Sequence, residues 1–180
     1  MSNLKRKKEE KAKREFFRLP VVSHGAEYLV QGYLMRRNIL TYKAPPNNEG
    51  YDLIAIHPDP RETKKQVRIQ VRSRYATDCD RGFPVKEKSF EAFDFLTLVF
   101  MNIGYFNSKN KTSHEGLRSV EIYTFPVSFI KQHHDKSSSW EKVMTKKLNI
   151  EKYKNEQGFE LIAMALESSI HQSKKGINVV

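Results

Sequence analysis

Cysteine is nearly absent: Cys79 is the single one in 180 residues, so no disulfide can close within the chain, which argues against a disulfide-stapled secreted protein and for a reducing interior. Long apolar runs are missing too. The longest, around Phe95 to Met101, is interrupted by Thr97 and falls far short of the roughly eighteen residues a membrane span needs. No apolar stretch of signal-peptide length follows the basic N-terminal segment, so the expected location is cytoplasmic, with no membrane partner. There is no glycine-rich phosphate loop, which leaves nucleotide hydrolysis and a nucleotide cofactor unsupported. Acidic residues are in deficit, 21 Asp and Glu against 32 Lys and Arg, and the net charge of +11 favours a polyanionic partner through counterion release and steering.

A chain of this length suits one core. Residues 1–18 carry eight basic and three acidic side chains with little to bury, and are expected to be a basic, flexible arm ahead of a single domain over 19–180. In "HGAEYLVQGYLMRRN" the apolar residues Ala26, Leu29, Val30, Tyr33 and Leu34 recur with helical spacing, with Ser23 placed as a cap and the end near Arg37 or Asn38. "ILTYKAP" is expected to be a strand stopped by Pro45 and Pro46, and "YDLIAI" and "QVRIQVR" an antiparallel hairpin around the turn "HPDPRETKK". "DFLTLVFM" has the continuous apolar character of a strand buried on both faces, and "VEIYTFP" is a further strand. "VSFIKQHHD" is expected to be a short helix, and Phe159, Ile162, Ala163, Leu166 and Ile170 mark one face of a final one. The segments between, including "SRYATDCDRGFPVKEKSFEAF", read as irregular, with one short helical turn before Phe93. A mixed sheet covered by helices follows from this order.

Side chains alternate across a strand, so Arg68, Gln70 and Arg72 share one face and Val67, Ile69 and Val71 the other. Glu27 in "GAEYL", Asp52 opening the strand of "EGYDLIAI", and the strand "RIQVRSR" together resemble the core of the PD-(D/E)XK nuclease superfamily, in the branch where glutamine replaces the acidic residue of the third motif. The resemblance covers about residues 23 to 130. It implies an α/β restriction-endonuclease-like core, with a central mixed β-sheet that includes an antiparallel hairpin and is flanked by helices. It also implies a Mg²⁺- or Mn²⁺-dependent endonuclease acting on DNA. Asp52 would be the central metal ligand, Gln70 would offer a neutral amide oxygen and Val71 its carbonyl, and Glu27 would assist. With fewer negative ligands the site should hold metal weakly. Restriction-like enzymes often pair to cut both strands, so a homodimer is a further expectation.

The third motif of the family normally ends in lysine, and Arg72 stands in that place. A lysine can shift its pKa and help activate water, whereas an arginine stays protonated and acts as a fixed cation. Arg72 can stabilise transition-state charge but cannot be the general base. Two readings therefore stay open: an active hydrolase, and a nuclease-fold protein that binds nucleic acid without cutting it. Ser73, Arg68, Arg72 and Arg74 suit phosphate contact, and Arg36, Arg37, Lys64 and Lys65 extend the basic surface. Each residue also has an ordinary explanation: Asp52 as a turn residue binding backbone amides, Glu27 as a first-turn glutamate favoured by the helix dipole, Gln70 and Arg72 as a polar strand face. His133, His134 and Asp135 are adjacent and point in different directions, which does not suit zinc, and Cys79 between Asp78 and Asp80 lacks a nearby histidine pattern for nucleophilic chemistry.

Overall fold

Apolar side chains four residues apart lie on one face of a helix, and Ala26, Val30 and Leu34 are buried along the first helix, α1 (Pro20–Arg36). The computed structural model describes residues 20–46, 48–59, 61, 65–79, 82–106, 116–137, 140–146 and 148–167; the basic arm, Lys64, Asp80 and Ile170 lie outside this set. The helix begins three residues before Ser23, which therefore sits inside the first turn and is not its cap; the fixed φ of proline suits a first helical position. For the same reason Glu27 lies beyond the first turn, out of reach of the dipole effect expected for it. The helix stops where Asn38 takes a left-handed φ of 60°.

Five strands form the main sheet in the order β1 (Leu40–Lys43), β2 (Leu53–Ile56), β3 (Gln66–Arg74), β5 (Phe95–Phe100) and β6 (Glu121–Pro126). The hairpin of β2 and β3 is antiparallel, as its turn chemistry predicts. β3 pairs with β2 only through Gln66–Ile69, and pairs in parallel with β5 through Ile69–Arg74. The strand thus changes neighbour near its middle.

Both faces of this sheet are covered. On one, Val67, Ile69 and Val71 of β3 and Phe95 and Val99 of β5 pack with α1 and the last helix, α3 (Asn155–Ala165), which contributes Phe159, Ile162 and Ala163 and is followed by Leu166. On the other, Leu96, Leu98 and Phe100 meet an aromatic layer of Phe83, Phe90, Phe93, Tyr123, Phe125 and Tyr153. All six residues of β5 are buried, in keeping with its unbroken apolar sequence. Asn155 fixes the start of α3 by accepting the Ile122 N–H at 3.1 Å, and Lys154 pairs with Glu121 at 2.6 Å.

The sequence reading missed a second sheet of three short strands in the order β4 (Gly82–Pro84), β8 (Lys142–Met144) and β7 (His134–Asp135). It closes the aromatic side by burying Phe83 and Val143. The short helix α2 (Val127–Gln132) consequently ends before His134, and His134 and Asp135 are strand residues. Strands of two or three residues show no measurable alternation, so nothing in the local pattern announces them. Among the described residues no helix is long and apolar enough to cross a membrane.

Phe159 joins the two helices of the first layer: its ring stacks on Tyr33 with centroids 5.4 Å apart, and it is buried. Phe159→Ala should therefore cost about 3–5 kcal/mol of stability, read as a lowered midpoint in urea denaturation.

Candidate functional site

Where β3 exchanges β2 for β5, two backbone N–H groups fall outside the regular ladders, and each is taken by an aspartate standing just before the neighbouring strand. On the β5 side the Arg68 N–H donates to Asp94 Oδ2 at 2.7 Å, and the Asp94 N–H returns to the Arg68 carbonyl at 2.9 Å. On the β2 side the Val71 N–H donates to Asp52 Oδ2 at 2.6 Å, while the Asp52 N–H donates to the Ile69 carbonyl at 2.9 Å. Asp52 thus holds β3 on either side of Gln70.

The two carboxylates differ in what else they meet. Asp94 is also bound by the Arg68 guanidinium, Nη2 to Oδ1 at 3.1 Å, and Arg68 reaches on to the Glu91 carbonyl at 3.0 Å. No described residue donates to the second oxygen of Asp52. Burial pushes the Asp52 carboxyl above its ordinary pKa; the Val71 N–H opposes this, followed by the charge of Arg72, while Glu27 adds to it and Lys43 opposes it. Glu27 itself is tied to Lys43 of β1 at 2.7 Å.

The loop before β2 is shaped by Gly50, whose φ of 104° is a left-handed conformation and whose Cβ, if present, would lie 2.2 Å from the Ala92 side chain. Only glycine lets the chain pass this close to Ala92 and deliver Asp52 to β3. The segment 50–52 then separates two openings. One, of about 270 Å³, is lined by Glu27, Lys43, Tyr51 and Asp52; the other, of about 480 Å³, by Glu49, Gln70, Arg72, Lys86, Lys88 and Ala92.

The residues singled out in sequence divide accordingly. Glu27 and Asp52 share the smaller opening, Gln70 and Arg72 the larger, and the field of Arg72 reaches Asp52 across the divide. Gln70 is 5% exposed, so the face of β3 that carries it is not a solvated polar face. In a strand the N–H and C=O of one residue lie along the same edge, so the Val71 carbonyl faces the side that β2 leaves open.

The arginines of β3 do not form a free row. Arg68 is fixed by Asp94 as described, and Arg74 donates to the Gly82 carbonyl at 2.6 Å with its guanidinium 5.0 Å from the centre of the Phe83 ring. Arg72, between them, has no hydrogen-bonding or ion-pair partner among the described residues and lines the cleft. Ser73 follows it, half-buried. Arg36 and Arg37 are taken up by Glu156, and Arg37 also by Glu160, while Lys65 pairs with Glu167 at 2.5 Å. The arginine pairs tie the C-terminal end of α1 to the last helix, and Lys65, just before β3, is tied to the residues just after that helix, a structural use that sequence could not show.

Sequence reasoning overlooked Lys43, Glu49, Lys86, Lys88 and Asp94. The signal for Lys86 and Lys88 was slight: two lysines flanking Glu87 in a stretch without periodicity. The His133–Asp135 group is structural. The His134 ring packs edge-on against Phe90 at 4.9 Å and its Nε2–H donates to the Val85 carbonyl at 2.7 Å, while His133 packs on Phe129 at 4.4 Å. Among the described residues no three His, Cys, Asp or Glu side chains are grouped to hold a metal ion. At the edge of β3 that β2 leaves open stand the second oxygen of Asp52 and the Val71 carbonyl, while the Gln70 amide lines the larger opening; all three oxygens are of the hard type that Mg²⁺ accepts alongside water.

No family model and no curated protein sequence matches the chain. Among solved structures it is similar to a bacterial homing endonuclease, I-Ssp6803I, at 13% sequence identity over 86% of this chain and 95% of that one, with a TM-score of 0.44.

A carboxylate whose pKa is raised by folding binds its proton more tightly in the native state than in the unfolded chain. Stability is therefore lost as pH rises from the ordinary value of 3.8 through the folded pKa, and stays reduced above it. Asp52→Asn, which keeps an oxygen for the Val71 N–H, should remove this loss in metal-free protein and raise the melting temperature at pH 7 relative to wild type. Asp94→Ala should act in the opposite sense, costing about 1–3 kcal/mol by orphaning the Arg68 N–H. Thermal unfolding across a pH series measures both.

Proposed function

We propose that this chain is a metal-dependent endonuclease that hydrolyses DNA phosphodiester bonds at Asp52, Gln70 and Arg72. The observation that carries this reading is the placement of Asp52: one oxygen is spent on β3, the other has no donor among the described residues, and burial works against its charge. An ionised carboxylate kept in a position that resists ionisation is the arrangement expected where a cation is to be held. Asp52, the Gln70 amide and the Val71 carbonyl would hold Mg²⁺ or Mn²⁺. Glu27, whose Oε2 is held by Lys43, would assist through its other oxygen.

A bound divalent ion would supply Lewis-acid stabilisation of charge on the phosphoryl oxygens and a water acidic enough to attack. The protein's own part is positional and electrostatic. Arg72, unpaired among the described residues and directed into the cleft by alternation with Val71, would neutralise charge growing on the phosphoryl group. It keeps its proton throughout, so the proton of the attacking water must leave by another route, to metal-bound hydroxide or to substrate phosphate.

A second reading, a protein that binds nucleic acid and does not cut it, is favoured by two observations: the helix glutamate is engaged by Lys43, and arginine stands where the family places lysine. Supercoiled plasmid separates the two. The hydrolase reading requires nicking that depends on Mg²⁺ and disappears in Asp52→Ala; unchanged nicking in that variant would rule out this site. Arg72→Gln should slow cleavage by roughly 10² to 10³, the usual effect of removing one charge-stabilising donor. Arg72→Lys should raise the rate if lysine is the better residue there. Absence of cleavage with Mg²⁺ and Mn²⁺, together with salt-sensitive DNA binding, would leave the binding reading.

A further inference from the structure

We infer that the cleft between Arg72 and the Lys86–Ser89 turn seats the phosphodiester backbone of DNA, with Lys86 and Lys88 as direct phosphate contacts. This rests on the DNA reading above and changes its geometry: the backbone crosses β3 at Arg72, whereas a row of arginines would have led it along the strand.

The balance of charge in the cleft comes first. Three cations, Arg72, Lys86 and Lys88, line it against one carboxylate, Glu49. None of the three cations has an ion-pair partner among the described residues. The acids adjacent to the lysines in sequence are already committed: Glu87, between them, is bound by Lys136, and Glu91 is bound by Lys131 at 2.8 Å. Glu141 accepts the Glu87 backbone N–H at 2.5 Å. The positive field at the mouth of the cleft is therefore left for something outside the protein.

Rigidity is the second consideration. The turn that carries the lysines is closed by the Ser89 N–H and Oγ, which both donate to the Lys86 carbonyl, at 2.9 and 2.6 Å. It is anchored from below by buried Phe90 and Phe93, with Val85 just before it. Across the cleft, Arg72 is held in the β3–β5 ladder opposite Leu98. Arg68 and Arg74, fixed at the two ends of the same face, attach the 91–94 segment and β4 to the strand and so keep the opening between them. Compact ammonium groups on one wall and a planar fork on the other suit the tetrahedral oxygens of a phosphodiester.

The test is binding of a short mixed-sequence DNA duplex, followed by fluorescence anisotropy over a series of salt concentrations in EDTA, where neither metal nor cleavage contributes. Lys86→Ala/Lys88→Ala should lower the slope of log K against log salt by about 2 and weaken binding by roughly tenfold or more at moderate salt. Both side chains are exposed, so the fold should be unaffected, as thermal unfolding will verify. Lys152→Ala, outside the cleft, should leave the slope unchanged. An unaltered slope in the double variant, or an equal fall in Lys152→Ala, would overturn the proposal. The hydrolase reading fails by a separate result, undiminished nicking by Asp52→Ala, so the two are told apart.

Discussion

The arrangement of the site depends on one exchange: β3 gives up β2 as its neighbour and takes β5 near Ile69 and Gln70. A nine-residue strand beside a four-residue one must leave part of an edge open, and backbone N–H groups on an open edge need acceptors. Aspartates at the two junctions answer that need with side-chain oxygens. The opening is thus a consequence of sheet construction, and the polar residues at it are there first because the ladder requires them.

The two junctions make an internal comparison. Asp94 and Asp52 have the same local task, accepting an N–H of β3, and differ in their company. Asp94 is matched by Arg68 on its own strand face, whereas Asp52 looks into a place where burial raises its pKa and its helpful charges, Arg72 and Lys43, belong to other elements. A purely structural aspartate would be expected to resemble Asp94. The departure of Asp52 from that pattern is what separates a turn residue from a candidate ligand, and it could not be read from the dipeptides "YD" and "FD".

Long elements with a clear period were legible in the sequence. The faces of α1 and α3, the hairpin of β2 and β3, and the doubly buried β5 all follow from spacing, because side chains at 3.6 or 2 residues must share a surface. The second sheet was not legible, since β4, β7 and β8 are too short to show a period and are held by contacts distant in sequence: Phe83 with Val143, Val143 with His134. Alternation correctly placed Gln70 and Arg72 together. It could not show that Arg68 and Arg74, on the same face, would be consumed by Asp94 and the Gly82 carbonyl, because their partners lie on other segments. Nor could it separate Lys86 and Lys88 from the many other lysines of a basic chain, a distinction that depends on where Glu87 and Glu91 find their own partners.

Lys43 bears on how a cation would enter. Its ammonium lies 2.7 Å from Glu27 and lowers the pKa of Asp52, so it already fills part of the role of a positive ion between two carboxylates. An ion that recruited Glu27 would bring a second positive charge beside this ammonium, whereas one held by Asp52, Gln70 and the Val71 carbonyl would leave the pair undisturbed. The second arrangement has a single negative ligand, and Mg²⁺ commonly keeps several waters beside one or two carboxylates. Weak metal binding, expected from glutamine in the third motif, would then have a second cause in α1 and β1: the ammonium paired with Glu27 would repel an ion that also used that carboxylate.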